Sequence, residues 1–88
     1  MAQLIRDRDG EGYFGSRIET IDPETGKREF WNGEPESLIG KKLEVGTMTA
    51  GMFSSRDWWR TTTIIEIISE DEEKLRFKTE NSTYTLRR

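Results

Sequence analysis

Apolar and polar side chains alternate along the C-terminal end of the chain. The sequence LRFKTE places Leu75 and Phe77 between charged residues, and the sequence TYTLR places Tyr84 and Leu86 between polar ones. An alternation of period two is typical of a strand with one face buried and the other in water. The pattern therefore predicts two strands, each with its apolar side chains on a single face.

The same two segments predict a hairpin with a defined register. A two-residue turn at 81–82 pairs Thr79 with Tyr84 and Phe77 with Leu86. Every apolar side chain then lies on one face of the hairpin, and the charged side chains share the other face.

The segment Arg60–Ser69 is rich in isoleucine and threonine, whose β-branched side chains favour strands. In an extended chain, Ile65 and Ile67 face the core beside the hairpin, while Ile64 and Ile68 point the opposite way. Apolar side chains on both faces predict a central strand, as in a barrel or a two-layer sandwich. A homo-oligomer interface that buries Ile64 and Ile68 is another way to cover the second pair.

The clearest turn pattern lies at Asp22–Lys27. Pro23 presets its φ angle for a turn, and Gly26 supplies the left-handed conformation that closes it. The β-prone segments Tyr13–Ile21 and Arg28–Trp31 flank this turn. The pattern therefore predicts a second hairpin.

The middle of the chain holds weaker patterns. Alternation over Lys42–Thr49 predicts a strand, with a bulge or a bend at Gly46. The segment Ser37–Gly40 predicts one short helical turn. The large side chains of Met52–Trp59 predict an ordered loop.

Together these elements predict a mainly β fold of about five or six short strands. A small, partly open β-barrel or roll of SH3-like or OB-like type fits a chain of 88 residues. A chain this short needs most of its length for one core, so residues 1–88 are expected to form a single β domain. Such folds carry unrelated functions, so the fold by itself indicates no activity.

Charge and cysteine content narrow the class of protein. The net charge of −3 argues against a general nucleic-acid binder, because such proteins usually carry a basic surface. The chain has no cysteine, which excludes disulfides and thiolate metal sites. It begins without the apolar stretch of a signal peptide, and no segment reaches the length of a membrane span. We therefore expect a cytoplasmic protein that does not associate with a membrane.

The residue types that most often perform catalysis are absent, since the sequence has no histidine and no cysteine. The segment Asp7–Gly12 resembles the start of a calcium loop, but its twelfth position is Ile18 where a bidentate glutamate is required. We therefore expect neither enzymatic activity nor a bound metal or other cofactor.

A basic surface supplies an alternative function. Arg76, Lys78, Arg87 and Arg88 share the outer face of the predicted C-terminal hairpin, with Arg76 opposite Arg87. Like charges in a cross-strand pair cost stability unless an opposite charge offsets them. An anionic partner supplies that charge, so the alternative is single-stranded nucleic-acid binding through this hairpin.

The favoured function depends on two adjacent tryptophans. Neighbours in a strand point to opposite faces, whereas in a loop both rings can fold inwards. We expect one ring in the core, and the other either capping the end of the barrel or against a partner. The sequence then predicts a non-catalytic module that binds a protein or inhibits a larger complex, as small phage-type accessory proteins do. The expected contact residues lie in the predicted loop and at its rim: Met52, Phe53, Arg56, Asp57, Trp58, Trp59 and Arg60.

Overall fold

A computed structural model of the chain describes residues 2–49 and 52–87, and at 47–49 and 52–57 it describes the backbone alone. Within these residues the chain forms nine strands and one short 3₁₀ helix, Pro35–Leu38. The strands are β1 Ala2–Arg6, β2 Gly12–Gly15, β3 Arg17–Ile21, β4 Arg28–Phe30, β5 Lys42–Thr49, β6 Met52–Arg60, β7 Ile64–Glu70, β8 Lys74–Thr79 and β9 Thr83–Arg87.

The strands form two antiparallel sheets. One has five strands in the order β2-β1-β9-β8-β7, and the other has four in the order β4-β3-β5-β6. The predicted mainly β class is confirmed. The strand count exceeds five or six because β1 has no counterpart among the predicted strands, and because β6 occupies the predicted loop. In addition, the predicted strand Tyr13–Ile21 bends at Ser16, so that its halves, β2 and β3, join different sheets.

The bend brings β2 against β5 with very little space between their backbones. A methyl group added at Gly15 would lie 2.2 Å from the carbonyl oxygen of Gly46, far closer than two such atoms can approach. The register of β5 against β6 also shifts just after Gly46, as the predicted bulge requires. Glycine at this corner therefore lets one continuous stretch of chain pass from the first sheet to the second.

The core lies between the inner faces of the two sheets. Fully buried apolar side chains come from both sheets and from the 3₁₀ helix, and the cluster consists of Ala2, Leu4, Leu38, Leu43, Val45, Ile64, Leu75, Phe77, Tyr84 and Leu86. Burying one such leucine or phenylalanine contributes roughly 2 kcal/mol relative to leaving it in water. The core therefore fixes which face of each strand remains for contact with solvent or a partner.

The C-terminal hairpin has the predicted faces but a different register. Leu75, Phe77, Tyr84 and Leu86 are all buried, as predicted. Phe77 lies opposite Tyr84, and Leu75 lies opposite Leu86, which is a shift of two residues along one strand. A slip of two preserves the period-two alternation, so each side chain keeps its face. The backbone N–H of Thr79 donates to the carbonyl of the third residue beyond it, which makes the connection longer than the predicted turn.

Strand β7 corrects the prediction for the isoleucine-rich segment. Ile64 is fully buried, whereas Ile65 and Ile68 are exposed, and Ile67 packs against the core. Two irregularities in the pairing with β8 each insert an extra residue, and each one reverses the alternation of faces. The strand lies at the edge of its sheet and is not central. A homo-oligomer interface that buries Ile64 is therefore wrong, because this side chain is already covered within the chain.

The turn at Asp22–Lys27 forms as predicted between β3 and β4. The N–H of Asp22 donates to the carbonyl of Lys27 at 2.9 Å, and Gly26 has a φ of 75°. The Asp22 carboxylate accepts hydrogen bonds from the backbone N–H groups of Glu24 and Thr25. These bonds, with that from Glu24 the larger effect, lower the pKa of Asp22 below its ordinary value.

The middle of the chain differs from the prediction in two places. The helical turn begins at Pro35 rather than Ser37, which agrees with the preference of proline for the first helical position. The segment Met52–Trp59 is a strand rather than an ordered loop, because its backbone pairs with β5, as at Val45 and Trp59. The polar run SSRD has no alternation, so pairing with a neighbour rather than local pattern decides its conformation. In the part of the chain that the structure describes, no helix is long and apolar enough to cross a membrane.

Candidate functional site

The outer face of the four-stranded sheet carries charged and aromatic side chains in neighbouring rows. Leu43 and Val45 point into the core, so Glu44 between them points outward. Trp59 packs against the core, so its neighbours Trp58 and Arg60 also point outward. We call this surface the charged sheet face and define it as Arg17, Glu19, Arg28, Phe30, Glu44, Trp58 and Arg60.

Two buried glutamates lie at the centre of the charged sheet face. Glu19 on β3 is directly opposite Glu44 on β5, and their exposed fractions are 5% and 1%. Two like charges opposite each other destabilise a sheet unless neighbouring groups compensate them. Burial makes this requirement stronger, because water cannot solvate either carboxylate.

Three arginines supply the compensation. Arg17 forms an ion pair with Glu19. Arg28 Nη1 and Arg60 Nε lie 3.1 and 3.0 Å from the same oxygen, Oε2 of Glu44, and Arg28 Nη1 also lies 3.8 Å from Glu19 Oε1. Three guanidinium groups thus surround two carboxylates. The carboxylates are buried, and the guanidiniums of Arg28 and Arg60 beside them are partly exposed to solvent.

Each edge of the charged sheet face carries an aromatic ring with an arginine against it. The Arg17 guanidinium lies 4.3 Å from the centre of the Phe30 ring, and that of Arg60 lies 5.0 Å from the centre of the Trp58 ring. Phe30 is the more open ring, with 67% of its surface exposed. Arg17 and Arg60 are each held by both a carboxylate and an aromatic ring. Each side chain therefore loses less conformational entropy when a partner binds.

The two adjacent tryptophans have different environments, because they are neighbours in β6 and point to opposite faces of the strand. The Trp59 indole N–H donates to the Tyr84 hydroxyl oxygen at 3.2 Å, and the Arg6 guanidinium lies 5.1 Å from the Trp59 ring centre. Trp58 contacts Arg60 on the opposite face of the strand. Trp59 thus belongs to the scaffold, and Trp58 belongs to the outer surface.

The remaining residues of the predicted contact set fall in the part of β6 where only the backbone is described. The side chains of Met52, Phe53, Arg56 and Asp57 lie outside the described residues. Their backbone is part of a strand, so they do not form the loop that the sequence predicts. Trp58 and Arg60 are the members of that set that the structure brings together on the charged sheet face.

The alternative basic surface lies on the other sheet. Arg76, Lys78 and Arg87 are exposed on its outer face, and Arg88 lies outside the described residues. Arg76 is opposite Thr85 and not Arg87, so the predicted like-charge pair is wrong. The two-residue slip instead places Lys74 opposite Arg87.

Arg76 also has a counter-charge within the chain. Its Nη2 lies 2.7 Å from Oδ2 of Asp7, whose other carboxylate oxygen accepts a hydrogen bond from the Thr85 hydroxyl at 2.8 Å. An anionic partner is thus not required to offset the charge of Arg76.

The calcium-like segment Asp7–Gly12 connects β1 to β2 as a tight turn. Arg6 donates to both carboxylate oxygens of Asp9, at 3.0 and 2.7 Å, and this contact lowers the pKa of Asp9 below its usual value. Asp7 points instead to Arg76. Among the side chains that the structure describes, which exclude those at 47–49 and 52–57, no group of three or more acidic or histidine side chains converges as metal ligands would.

A cavity of about 300 Å³ lies between β4 and the 3₁₀ helix. Its lining consists of Thr20, Glu29, Phe30, Trp31, Asn32, Ser37 and Lys41. The Asn32 side-chain oxygen accepts from the Ser37 hydroxyl, and the Trp31 indole N–H donates to the carbonyl of Glu34. The polar groups of its lining therefore bond largely to the chain itself.

Sequence reasoning missed five residues of the charged sheet face: Arg17, Glu19, Arg28, Phe30 and Glu44. One signal was present, because Glu44 is the only charged residue between two apolar residues within the strand Lys42–Thr49. When the residues before and after it in the strand are buried, such a residue lies on the opposite face of the strand.

Comparison of the chain with protein-family models, with curated proteins and with solved structures finds no match.

Proposed function

We propose that the protein is a non-catalytic module that binds a protein partner on the charged sheet face. The observation that carries this proposal is the pairing of two aromatic rings, the exposed Phe30 and the half-buried Trp58, with anchored arginines. Tryptophan and arginine are the residue types that most often dominate the energy of protein–protein interfaces. Here both types lie on strands of a sheet rather than on a loop, which preorganises the surface.

The anchoring of the arginines supports binding rather than a purely structural role. A buried ion pair rarely adds net stability over a well-packed apolar pair, because desolvation offsets the attraction. The chain nevertheless keeps Glu19 and Glu44 buried beneath guanidiniums, where apolar residues would cover the sheet at lower cost. Holding cationic groups in place for a partner is a function that apolar residues cannot perform.

The proposal revises the contact set predicted from the sequence. Trp58 and Arg60 remain in it, whereas Trp59 becomes part of the scaffold. Phe30, Arg17 and Arg28 are added from the other strands of the sheet. The contribution of Met52, Phe53, Arg56 and Asp57 stays a prediction. A non-catalytic role is supported by the lack of histidine and cysteine in the sequence.

Affinity capture from a nuclease-treated native lysate tests the proposal. The tagged chain is compared with Trp58→Ala and with Phe30→Ala. Phe14→Ala is the matched control, because Phe14 is also an exposed aromatic ring but lies on the other sheet. We expect the two variants on the charged sheet face to lose a protein that the control retains. Capture that disappears on nuclease treatment, or that depends only on Phe14, would contradict the proposal.

A further inference from the structure

Two arginines of the charged sheet face converge on a single buried oxygen. Arg28 reaches Oε2 of Glu44 with Nη1, and Arg60 reaches the same atom with Nε. They come from opposite edges of the sheet, since β4 and β6 are its two outer strands. Glu44 therefore fixes the separation of two guanidinium groups that would otherwise repel each other.

These contacts use a small part of each guanidinium. A guanidinium has five N–H donors, and the contact with Glu44 engages one nitrogen of each side chain. The side chains of Arg28 and Arg60 are 42% and 39% exposed. Donors therefore remain on the solvent side of both groups, with a fixed geometry that suits a planar oxyanion.

We infer that the charged sheet face binds an acidic segment of the protein partner, with a carboxylate of that segment seated between Arg28 and Arg60. This inference rests on the proposed function and names the chemistry of the partner. The local charge supports it, because the guanidiniums of Arg28 and Arg60 share the single carboxylate of Glu44. Phe30 beside this position fits an apolar residue next to the acidic one in the partner.

The aromatic rings favour a protein segment over single-stranded nucleic acid. Bases bind by stacking on open aromatic faces. Phe30 and Trp58 each already have a guanidinium against one face. A phosphodiester chain carries one charge per nucleotide and needs a long basic track. A single carboxylate fits the pair Arg28 and Arg60, whereas a run of phosphates needs a longer series of cationic groups than this pair.

Titration of the chain with poly-L-glutamate tests the inference, with oligothymidylate as the competing probe. The Nε–Hε signals of Arg28 and Arg60 report binding by NMR without any substitution. We expect these two signals to shift with poly-L-glutamate. We also expect Arg28→Gln and Arg60→Gln each to weaken that binding by about tenfold, the loss typical of one charge-assisted contact.

Lys78→Gln is the matched control, because it removes one positive charge from the other sheet. The double variant Arg28→Gln with Glu44→Gln serves in case Arg28→Gln alone does not fold. It removes the guanidinium together with the buried carboxylate whose charge that guanidinium balances. It is expected to fold and to bind poly-L-glutamate no more tightly than Arg28→Gln does, because Glu44 also holds Arg60 in place.

Three results of the titration would overturn the inference. They are no shift of the two arginine signals, an equal loss of affinity in Lys78→Gln, and tighter binding of oligothymidylate than of poly-L-glutamate. The last result would make the face a nucleic-acid site. A captured partner that depends on Trp58 and Phe30 but not on Arg28 or Arg60 would refute this inference alone and leave the proposed function standing.

Discussion

The Trp59 indole N–H donates to the hydroxyl oxygen of Tyr84 across the two sheets, over 3.2 Å. Trp59 lies on β6 of the four-stranded sheet, and Tyr84 lies on β9 of the five-stranded sheet. Tyr84 also stacks on Phe77, with ring centres 5.6 Å apart, and the Arg6 guanidinium lies against Trp59. A continuous series of contacts therefore runs from the surface at Arg6 into the core at Phe77 and ties the two sheets together.

Removing the acceptor of this hydrogen bond is expected to destabilise the protein without affecting its outer surface. Tyr84→Phe keeps the ring in place and leaves the partly buried indole N–H unsatisfied, which costs about 1 kcal/mol. Urea unfolding measures the loss. A cycle with Trp59→Phe, alone and combined with Tyr84→Phe, isolates the coupling between the two side chains. Strictly additive effects would mean that the hydrogen bond contributes nothing.

Substituting the two tryptophans separately is expected to lower stability at Trp59 and partner binding at Trp58. Trp59→Ala removes a ring that packs on the core and should cost about 3 kcal/mol. Trp58→Ala removes a surface ring and one arginine contact, so its cost should be within about 1 kcal/mol. Unfolding midpoints and partner capture are measured for both. The assignment of roles fails if Trp58→Ala unfolds the chain while Trp59→Ala leaves its stability intact.

Substituting Glu44 is expected to destabilise the protein less than substituting the two arginines that contact its carboxylate. Arg28→Ala with Arg60→Ala leaves a buried charge without a partner and should cost about 3 kcal/mol. Glu44→Gln should cost less, about 1 kcal/mol, because the half-exposed guanidiniums can turn to water. Adding Glu44→Gln to the double arginine variant should therefore restore stability, as measured by urea unfolding. A triple variant less stable than the double variant would contradict this account.

The faces of the C-terminal hairpin could be predicted from sequence, but its register could not. Alternation of period two identifies Phe77 and Leu86 as buried, and a slip of two residues leaves that alternation unchanged. The side chain of Thr79 helps to select the observed register, because its hydroxyl oxygen accepts hydrogen bonds from the N–H groups of Asn81 and Ser82. Competing turn geometries of this kind have no signature in the hydrophobic pattern.

Neither the faces of the isoleucine-rich strand nor the charged sheet face could be predicted from the sequence, and the reasons differ. Bulges around Ile65 and Ile68 break the alternation, and they depend on the partner strand rather than on the residues themselves. Glu19 and Glu44 belong to a residue type that is normally exposed. Their burial arises only when β3 and β5 pair and distant arginines cover them, which is a property of the assembled sheet.

The observed register of the C-terminal hairpin places Lys74 opposite Arg87, and this pairing can be measured. Like charges in a cross-strand pair repel, so Arg87→Glu should stabilise the chain by about 0.5 kcal/mol. In a cycle with Lys74→Glu the two positions should be coupled. Arg76 and Arg87 should show almost no coupling, since Thr85 lies opposite Arg76. Coupling of Arg87 to Arg76 instead of Lys74 would restore the register predicted from the sequence.

Asp22 should make the β3–β4 turn sensitive to acid. Backbone N–H groups bond to its carboxylate and lower its pKa below the ordinary value of 3.8. A carboxyl group whose pKa is lowered by folding stabilises the protein above its unfolded-state pKa, and this stabilisation is lost as the pH falls through the folded-state value. Unfolding in urea between about pH 5.5 and about pH 2.5 should therefore show a decline below pH 4 that is smaller in Asp22→Asn.

Glu24→Gln provides the matched control for this prediction, because it removes one negative charge from the same turn. Its carboxylate is exposed and accepts none of the hydrogen bonds found in the turn. The control should therefore follow the pH profile of the unmodified chain more closely than Asp22→Asn does. Direct NMR titration of the Asp22 carboxyl carbon gives a second measurement, expected to yield a pKa below 3.8. A titration at or above that value would mean that the backbone hydrogen bonds do not favour the ionised carboxylate.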